Sequence, residues 1–345
     1  VYGINTVGSV LGSGLAGLVA LPLLGLKGLL MAGALVDVVL GVWLLERAAR
    51  GGARRLRDAV LAMAASLLAF GMVGMGVRLD QRLLTSGVFR YGVVPEPGSS
   101  ETLFYRDGRT ATVSAQVNRQ DGNVVLSTNG KPDASMGARW FAPGRDTLAA
   151  LPLEEGQDFT TQVLAPLVGL AYAPGARTVA NIGHGSGMTG TTFLTSPVLR
   201  RLVTIEIEPL MVDGSFVFLP MNQAVFSDPR STYAFDDAKS FFAYRQERFD
   251  LIFAEPSNPW VSGTASLFTR EFYQRVKGYL TEDGVLTQWM QIYEISDDLF
   301  MSVLSALDEA FPSYRGYLVG DADVVIIASS EETMPEPDWS VLAWE

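Results

Sequence analysis

The chain has 345 residues, with 26 basic and 37 acidic side chains and a formal net charge of −11. It therefore lacks the basic excess that phosphate recognition needs, and nucleic acid is excluded as the main partner. Cysteine is absent and His184 is the single histidine, which excludes disulfides, thiolate chemistry, a histidine-based triad and a multi-histidine metal site; no metal is expected.

The first 80 residues carry most of the apolar excess. Asn5 to Leu24 is uncharged, Gly28 to Val36 is uncharged, and Val38 to Leu45 continues the run after Asp37. With Lys27 at the turn, the pattern predicts two tightly joined transmembrane helices, each needing roughly 20 apolar residues. Gly8, Gly12, Gly14 and Gly17 suit close helix packing, and Asp37 is expected to face the bundle or an aqueous cavity rather than lipid. A third apolar run, Ala59 to Val77, follows Arg47, Arg50, Arg54, Arg55 and Arg57. The arginine-rich loop reads as cytoplasmic, which puts everything after a spanning third helix on the far side. An integral membrane protein in contact with lipid is expected, with the side of its soluble part open. The start at Val1, already apolar, reads as a fragment or processed form with upstream helices missing.

From residue 81 to 157 the composition turns aromatic and β-branched. Thr102 to Tyr105, Thr110 to Val117 and Val124 to Thr128 predict three antiparallel strands, parted by Asp107-Gly108 and Asp121-Gly122 and closed by Asn129-Gly130. Residues 137 to 157 read as a loop. Phe159 to Leu170 has helical spacing, and Pro174-Gly175 leads into a glycine-rich strand.

Residues 158 to 330 form the part expected to carry chemistry. TVANIGHGSG is a strand breaking into Gly183, His184, Gly185, Ser186 and Gly187; LVTIEIEP ends in Glu206 and Glu208; YAFDDAKSFF places Asp236 and Asp237 past a strand end; FDLIFAEPSNP puts Glu255 after a buried strand. Glycine or carboxylate at four successive strand ends describes a nucleotide-type ligand lying across a parallel sheet. Glycines let the backbone approach the ligand, and an acidic residue at the next strand end accepts ribose hydroxyls. Glu206 is preferred for that role because Glu208-Pro209 reads as the turn leaving the strand. Asp237 suits an adenine amino group, or else the Asp236-Asp237 pair is a helix N-cap. Asp297 to Phe311 predicts an amphipathic helix, and Tyr314 to Val319 and Val324 to Ser329 a closing strand pair with Asp321 in the turn. Residues 331 to 345 are an acidic tail or docking strap in which Trp339 and Trp344 pack on the body.

These motifs, in order and spacing, resemble the spermidine synthase family of aminopropyltransferases over residues 87 to 330. The whole chain resembles that family's membrane-fused bacterial branch, which implies a bacterial inner membrane and, from the cytosolic supply of the cofactor, a cytoplasmic catalytic part against the arginine signal. NIGHGSG is similar to the family's glycine motif, TIEIEP to its ribose-binding strand, FDDAKSFF to its adenine segment and AEPSNP to its catalytic gate loop. The resemblance implies a small antiparallel β domain before a Rossmann-like α/β domain. It further implies decarboxylated S-adenosylmethionine as donor substrate and a small-molecule amine as acceptor, with Glu255 taking the proton of the attacking amine.

Departures bear on the chemistry. Ser186 stands where the family has an aspartate that holds the donor's amine, Asn258 where it has a second gate-loop aspartate, and His184 where it has glycine. Intact S-adenosylmethionine therefore stays open as the donor. By the same resemblance Gln162, Asn129 and Asp133 reach the cofactor, and Asn258, Trp260, Gln288 and Tyr293 the acceptor. Other chemistry of the same sulfonium (methyl transfer, cyclisation or lyase cleavage) stands as an alternative, as does a non-catalytic nucleoside sensor or transport-linked membrane protein. Oligomeric state, a homo-oligomer included, is left open.

Overall fold

The structure, a computed structural model, describes residues 2–49, 53–137, 140, 158–261, 263–320 and 322–343, without the side chains of 48, 49, 53–56 and 59. Val1, Arg50, the loop residues 141–157, Asp321 and Trp344 lie outside the described residues.

The N-terminal run is helical: α1 (Tyr2–Leu15), a π-helical turn (Ala16–Ala20) and α2 (Leu21–Ala49), then α3 (Ala53–Gly76). The stretch Tyr2–Arg47 is long and apolar enough to cross a membrane, whereas the apolar part of α3, Val60–Gly76, is shorter. Gly25 breaks α2 with φ 67° and ψ 173°, a conformation that only glycine adopts cheaply. The sequence places the turn at Lys27, two residues on. Lys27 Nζ instead reaches the Gly74 carbonyl at 2.7 Å and fastens α2 to α3. Asp37 lies exposed on α2, and no other group comes within 4 Å of a Cβ built at Gly8, Gly12, Gly14 or Gly17. Neither feature faces a packed neighbour among the described residues.

A four-stranded antiparallel meander follows: β1 (Ser100–Asp107), β2 (Thr112–Asn118), β3 (Val124–Thr128) and β4 (Lys131–Met136). The sequence predicts only the first three. Pro132 and the polar run KPDASM disguise β4, which tolerates proline because it is the sheet's edge strand. Asn129 (φ 51°) and Gly130 (φ 79°) make the tight turn into it.

The C-terminal part alternates helix and strand: α4 (Asp158–Tyr172), β5 (Thr178–Ile182), α5 (Met188–Leu194), β6 (Arg201–Glu206), α6 (Pro209–Gly214), β7 (Ser231–Phe235), α7 (Ala238–Tyr244), β8 (Phe249–Ala254), α8 (Arg270–Lys277), β9 (Leu280–Gln291), α9 (Asp297–Asp308), β10 (Ser313–Val319) and β11 (Asp323–Ser329). The seven strands form one sheet in the order β10-β11-β9-β8-β5-β6-β7, with β5 to β9 parallel and β10 and β11 antiparallel. This is the expected α/β Rossmann-like architecture, and its strand order reverses beside β5. Alternate residues of the central strands supply two cores. Ile252 packs with Phe241, Phe242 and Tyr273 on one face, and Leu251 and Phe253 with Leu170 and Phe193 on the other. A third cluster joins Val113, Leu126 and Met136 of the meander to Met188, Met211 and Phe218, and so holds the small sheet over the carboxyl ends of the large one. After β11 the chain straps back: Asp338 N–H donates to the Ala171 carbonyl at 2.7 Å and Trp339 sets its ring edge-on to Tyr317.

Candidate active site

Strand register alone assembles the centre of the site. Ile182 pairs with Ile205 on one side and with Ala254 on the other, so the next residues, Gly183, Glu206 and Glu255, stand abreast at the carboxyl edge. The ladder runs one step further, with Gly183 N–H donating to the Ile205 carbonyl and Glu255 N–H to the Ile182 carbonyl. Gly183 has φ +97°, and a Cβ there would lie 2.6 Å from the Glu255 carbonyl oxygen. No side chain fits that approach. Above this edge lies a cleft of about 810 Å³, roofed by Thr128 to Ala134 of the meander.

Glu206 is buried, and both its carboxylate oxygens are engaged: one accepts from His184 N–H at 2.9 Å, the other from Glu208 N–H at 2.9 Å. Burial pushes its pKa up to about 7, against the pull of these two N–H groups. Glu208 has a different job. It caps α6 through Leu210 N–H and accepts from Thr110 N–H at 2.7 Å and Thr110 Oγ1 at 2.8 Å, joining the meander to β6. Asp236 and Asp237 both line the cleft; Asp237 also accepts from Ser240 N–H at 3.0 Å, so it is the N-cap of α7.

His184 turns its ring away from chemistry. It is 3% exposed, bonds Ser215 Oγ at 2.7 Å through Nε2 and sits edge-on to Tyr233. Burial drives its pKa down to about 3, so at neutral pH it is an uncharged packing residue whose backbone serves Glu206. Ser186 is hydrogen-bonded to Gln162 Oε1 and also accepts from Met188 N–H at 3.1 Å. The Gln162 amide nitrogen is buried at the cleft wall with no hydrogen-bond partner among the described residues.

Glu255 lies half-buried at the cleft floor, where Oε2 accepts from Thr189 Oγ1 at 2.7 Å. Burial raises its pKa to about 7; the Thr189 bond lowers it, and the charges of Asp323 and Asp158 raise it. Asn258 is 1% exposed; it faces the Tyr293 hydroxyl without closing a well-formed hydrogen bond, and neither polar atom of its amide has another partner. Asn129 and Asp133 also line the cleft.

Two expected acceptor residues do not reach it. Gln288 pairs with Ala254, one register step below Glu255, and is wholly buried. Its amide donates to the Trp289 carbonyl at 2.8 Å and the Ala254 carbonyl at 3.3 Å, so it props the strand end from beneath. Trp260, 44% exposed, lies on the outer side of the gate loop and is absent from the cleft wall. Conversely, the cleft contains Asp158 and Asp323, which sequence reasoning did not single out. Asp158 opens a helix and Asp323 a strand, positions where an aspartate is usually just a cap or a turn residue. Among the described residues no His, Cys, Asp or Glu cluster suits a metal ion.

A switch-point cleft with a glycine cradle, a carboxylate after the second strand and another after the fourth is the arrangement of the Rossmann-like class. Residues 158–320 match the spermine/spermidine synthase domain. Polyamine aminopropyltransferase 1 of Pseudomonas aeruginosa is 32% identical over 231 residues, covering 63% of this chain and 77% of that protein. The polyamine aminopropyltransferase of Clostridium perfringens is 29% identical over 165 residues, 47% of this chain and 58% of that one; several such relatives are spanned over only about half their length. Among solved structures, a spermidine synthase in complex with the transition-state analogue AdoDATO superposes with a TM-score of 0.56 at 20% identity, over 67% of this chain and 74% of that one. Spermidine synthase from Thermotoga maritima gives 0.54 over the same shares. The chain belongs to the spermine/spermidine synthase family and is an enzyme of the aminopropyltransferase class.

Proposed function

We propose that the chain transfers an aminopropyl group from decarboxylated S-adenosylmethionine to an amine, with Glu255 as general base. The carrying observation is Glu255 itself: a carboxylate abreast of the glycine cradle whose pKa, about 7, suits proton removal near neutral pH. The donor's adenosine lies over Gly183 to Gly187, its ribose hydroxyls on Glu206 and its base beside Asp237. The acceptor nitrogen attacks the carbon next to the sulfonium, a C–N bond forms as the C–S bond breaks, and methylthioadenosine leaves as a neutral thioether. The proton from nitrogen passes to Glu255. Most of the acceleration comes from alignment for in-line attack, and proton removal adds about 10²- to 10⁴-fold.

A second reading is supported by one observation: Gln162, bonded to the Ser186 that stands where the family resemblance places an aspartate, has an unpartnered amide nitrogen, a donor where an amine would want an acceptor. Intact S-adenosylmethionine, whose carboxylate could accept from it, then fits better, with different chemistry at the sulfonium. Calorimetry separates the two. Decarboxylated S-adenosylmethionine binding at least tenfold more tightly than the intact form supports aminopropyl transfer; the reverse order supports the second reading.

Tyr2–Arg47 is further proposed to hold the enzyme in a membrane, as a hairpin broken at Gly25, with 81–157 and 158–330 as its β and catalytic domains. The amine acceptor is soluble, and the side of the membrane is set by where the donor is supplied.

A further inference from the structure

Between α3 and β1 the chain makes two helical turns, Gln81–Leu84 and Val88–Tyr91, that carry a strip of exposed apolar side chains. Phe89 is 75% exposed, Val93 66%, Val94 61% and Tyr91 52%, and Leu83 and Leu84 are exposed as well. From Leu83 to Val94 the one charged residue is Arg90, whose guanidinium is turned inward and holds Glu294 at 2.8 Å. The outer side of the strip therefore carries no free charge. Nor is it slack chain. Asp80 caps the first turn through Arg82 N–H, and the buried Thr85 hydroxyl donates to the Gln81 carbonyl at 2.7 Å while accepting from the Gln116 amide. Gly87 and Gly92 bracket the second turn at φ 64° and 65°, and a Cβ on Gly87 would lie 2.6 Å from the Gly130 carbonyl oxygen, so the strip is pressed against the meander. A rigid frame that holds large apolar side chains in water is stabilised when something apolar covers them.

Position identifies the cover. The first turn begins at Gln81, five residues after α3 ends at Gly76, a reach of at most about 18 Å even for extended chain. That end of α3 is fastened to α2 by Lys27 on Gly74, and the neighbouring Leu26 N–H is held by Asp107 at the end of β1. The first turn packs on β1 in its turn. The strip, the end of β1 and the common end of α2 and α3 thus lie together, where apolar helices give way to the soluble body. Aromatic and branched apolar side chains without free charge, beside a segment able to span, suit the interfacial layer of a bilayer.

Resting on the membrane reading of Tyr2–Arg47, we propose that residues 83–94 are an interfacial seat, with Phe89, Tyr91, Val93 and Val94 entering the lipid surface beside the apolar helices. The attraction is apolar, so a neutral lipid surface suffices and salt does not weaken it. Arg90 and Tyr91 also line the catalytic cleft, so the seat fixes that wall of the cleft at the membrane plane.

The chain has no cysteine, so one can be introduced at a time and given a nitroxide label. Phe89→Cys and Val94→Cys probe the seat, Val39→Cys on α2 (58% exposed) the membrane, and Tyr244→Cys on α7 (76% exposed) the water. The full chain is placed in phosphatidylcholine nanodiscs, and collisions of each label with oxygen and with a water-soluble nickel chelate are measured. The oxygen-to-nickel ratio at the Phe89 and Val94 sites should exceed that at Tyr244 by about tenfold, because an apolar layer excludes the polar chelate. Raised salt should leave it unchanged. A ratio at both sites equal to that at Tyr244, with Val39 still shielded, overturns the seat and leaves the membrane reading standing. Exclusion of both reagents from Phe89 and Val94 means that protein rather than lipid covers the strip, and overturns it too. If Val39 is as open to nickel as Tyr244, the membrane reading falls and takes the seat with it.

Discussion

The Thr189 hydroxyl donates to Glu255 Oε2 at 2.7 Å, from the first turn of α5 to the residue after β8. This bond favours the charged carboxylate and opposes the burial that raises its pKa to about 7. Activity should therefore rise with pH through about 7 as Glu255 loses its proton. Thr189→Val removes the bond, so the rise in kcat/KM should move to higher pH by about one pH unit, since a charge-assisted bond is worth about 1.5–3 kcal/mol. Glu255→Gln should cut kcat by about 10²- to 10⁴-fold above about pH 7 and by less below it, where the unaltered chain also loses its base. An unmoved profile in Thr189→Val would place the titrating group elsewhere.

Glu206 answers to two backbone N–H groups and, in the proposed complex, to a ribose. Its pKa near 7 means that it is partly protonated below neutrality. A sugar that donates to the charged form binds more weakly as pH falls through that value, so methylthioadenosine affinity should drop between pH 8 and pH 6. Glu206→Gln should weaken that affinity by about 10- to 100-fold, the loss of one charge-assisted hydrogen bond, and should flatten its pH dependence. Titration calorimetry at three pH values reads both effects.

His184 makes folding sensitive to acid. Its pKa falls from 6.5 to about 3 on burial, so the unfolded chain binds a proton that the folded one refuses. The stability from the neutral ring is full above pH 6.5 and is lost as pH falls toward 3, by about 2 kcal/mol at pH 5. Glu206 and Glu255, whose pKa values rise on folding, oppose this: their charged forms cost stability above about 7, and that cost fades toward pH 4.5. The difference between the unaltered chain and His184→Asn isolates the imidazole. The gap in unfolding free energy should narrow by about 2 kcal/mol from pH 7.5 to pH 5. A constant gap would show that the ring is charged in the folded state.

Asp107 ties the meander to the apolar helices. One oxygen accepts from Leu26 N–H at 2.8 Å, just past the break at Gly25, and the other from Thr112 Oγ1 at 2.8 Å and Tyr105 Oη at 3.1 Å. It thus caps the second part of α2 from a β-strand. Asp107→Ala should free the Leu26 amide and speed hydrogen exchange at residues 24–28 by about tenfold, the effect of about 1 kcal/mol for a lost cap. Exchange at Gly183 to Gly187 should stay as it was. Equal exchange at residues 24–28 in both proteins would mean that the contact holds nothing.

The glycine turn and Glu206, Asp237 and Glu255 were legible in the sequence because each follows a short apolar run, and strand ends in a parallel sheet meet by register. What the sequence could not show was depth and convergence. Gln288 and Glu255 differ by one register step, which puts one under the floor and the other at the cleft. Trp260 follows the gate loop in sequence, yet the turn from Asn258 to Val261 carries it outward. β4 was hidden because an edge strand can afford Pro132 and polar residues. Asp158 and Asp323 come from segments 165 positions apart in the numbering (323 − 158), linked through the Thr161 hydroxyl. Residues on one helix and one antiparallel strand show no shared motif until the sheet is complete.

The claim on which the account turns is that a sulfonium nucleoside lies on the glycine cradle with its reactive carbon before Glu255. Mass spectrometry of the products, after the purified chain has met decarboxylated S-adenosylmethionine with and without 1,4-diaminobutane, tests it most directly. The account predicts methylthioadenosine and aminopropylated diamine in equal amounts, formed only with the diamine present and lost in Glu255→Gln. Methylthioadenosine released at the same rate without an acceptor, or none formed under either condition, would contradict it.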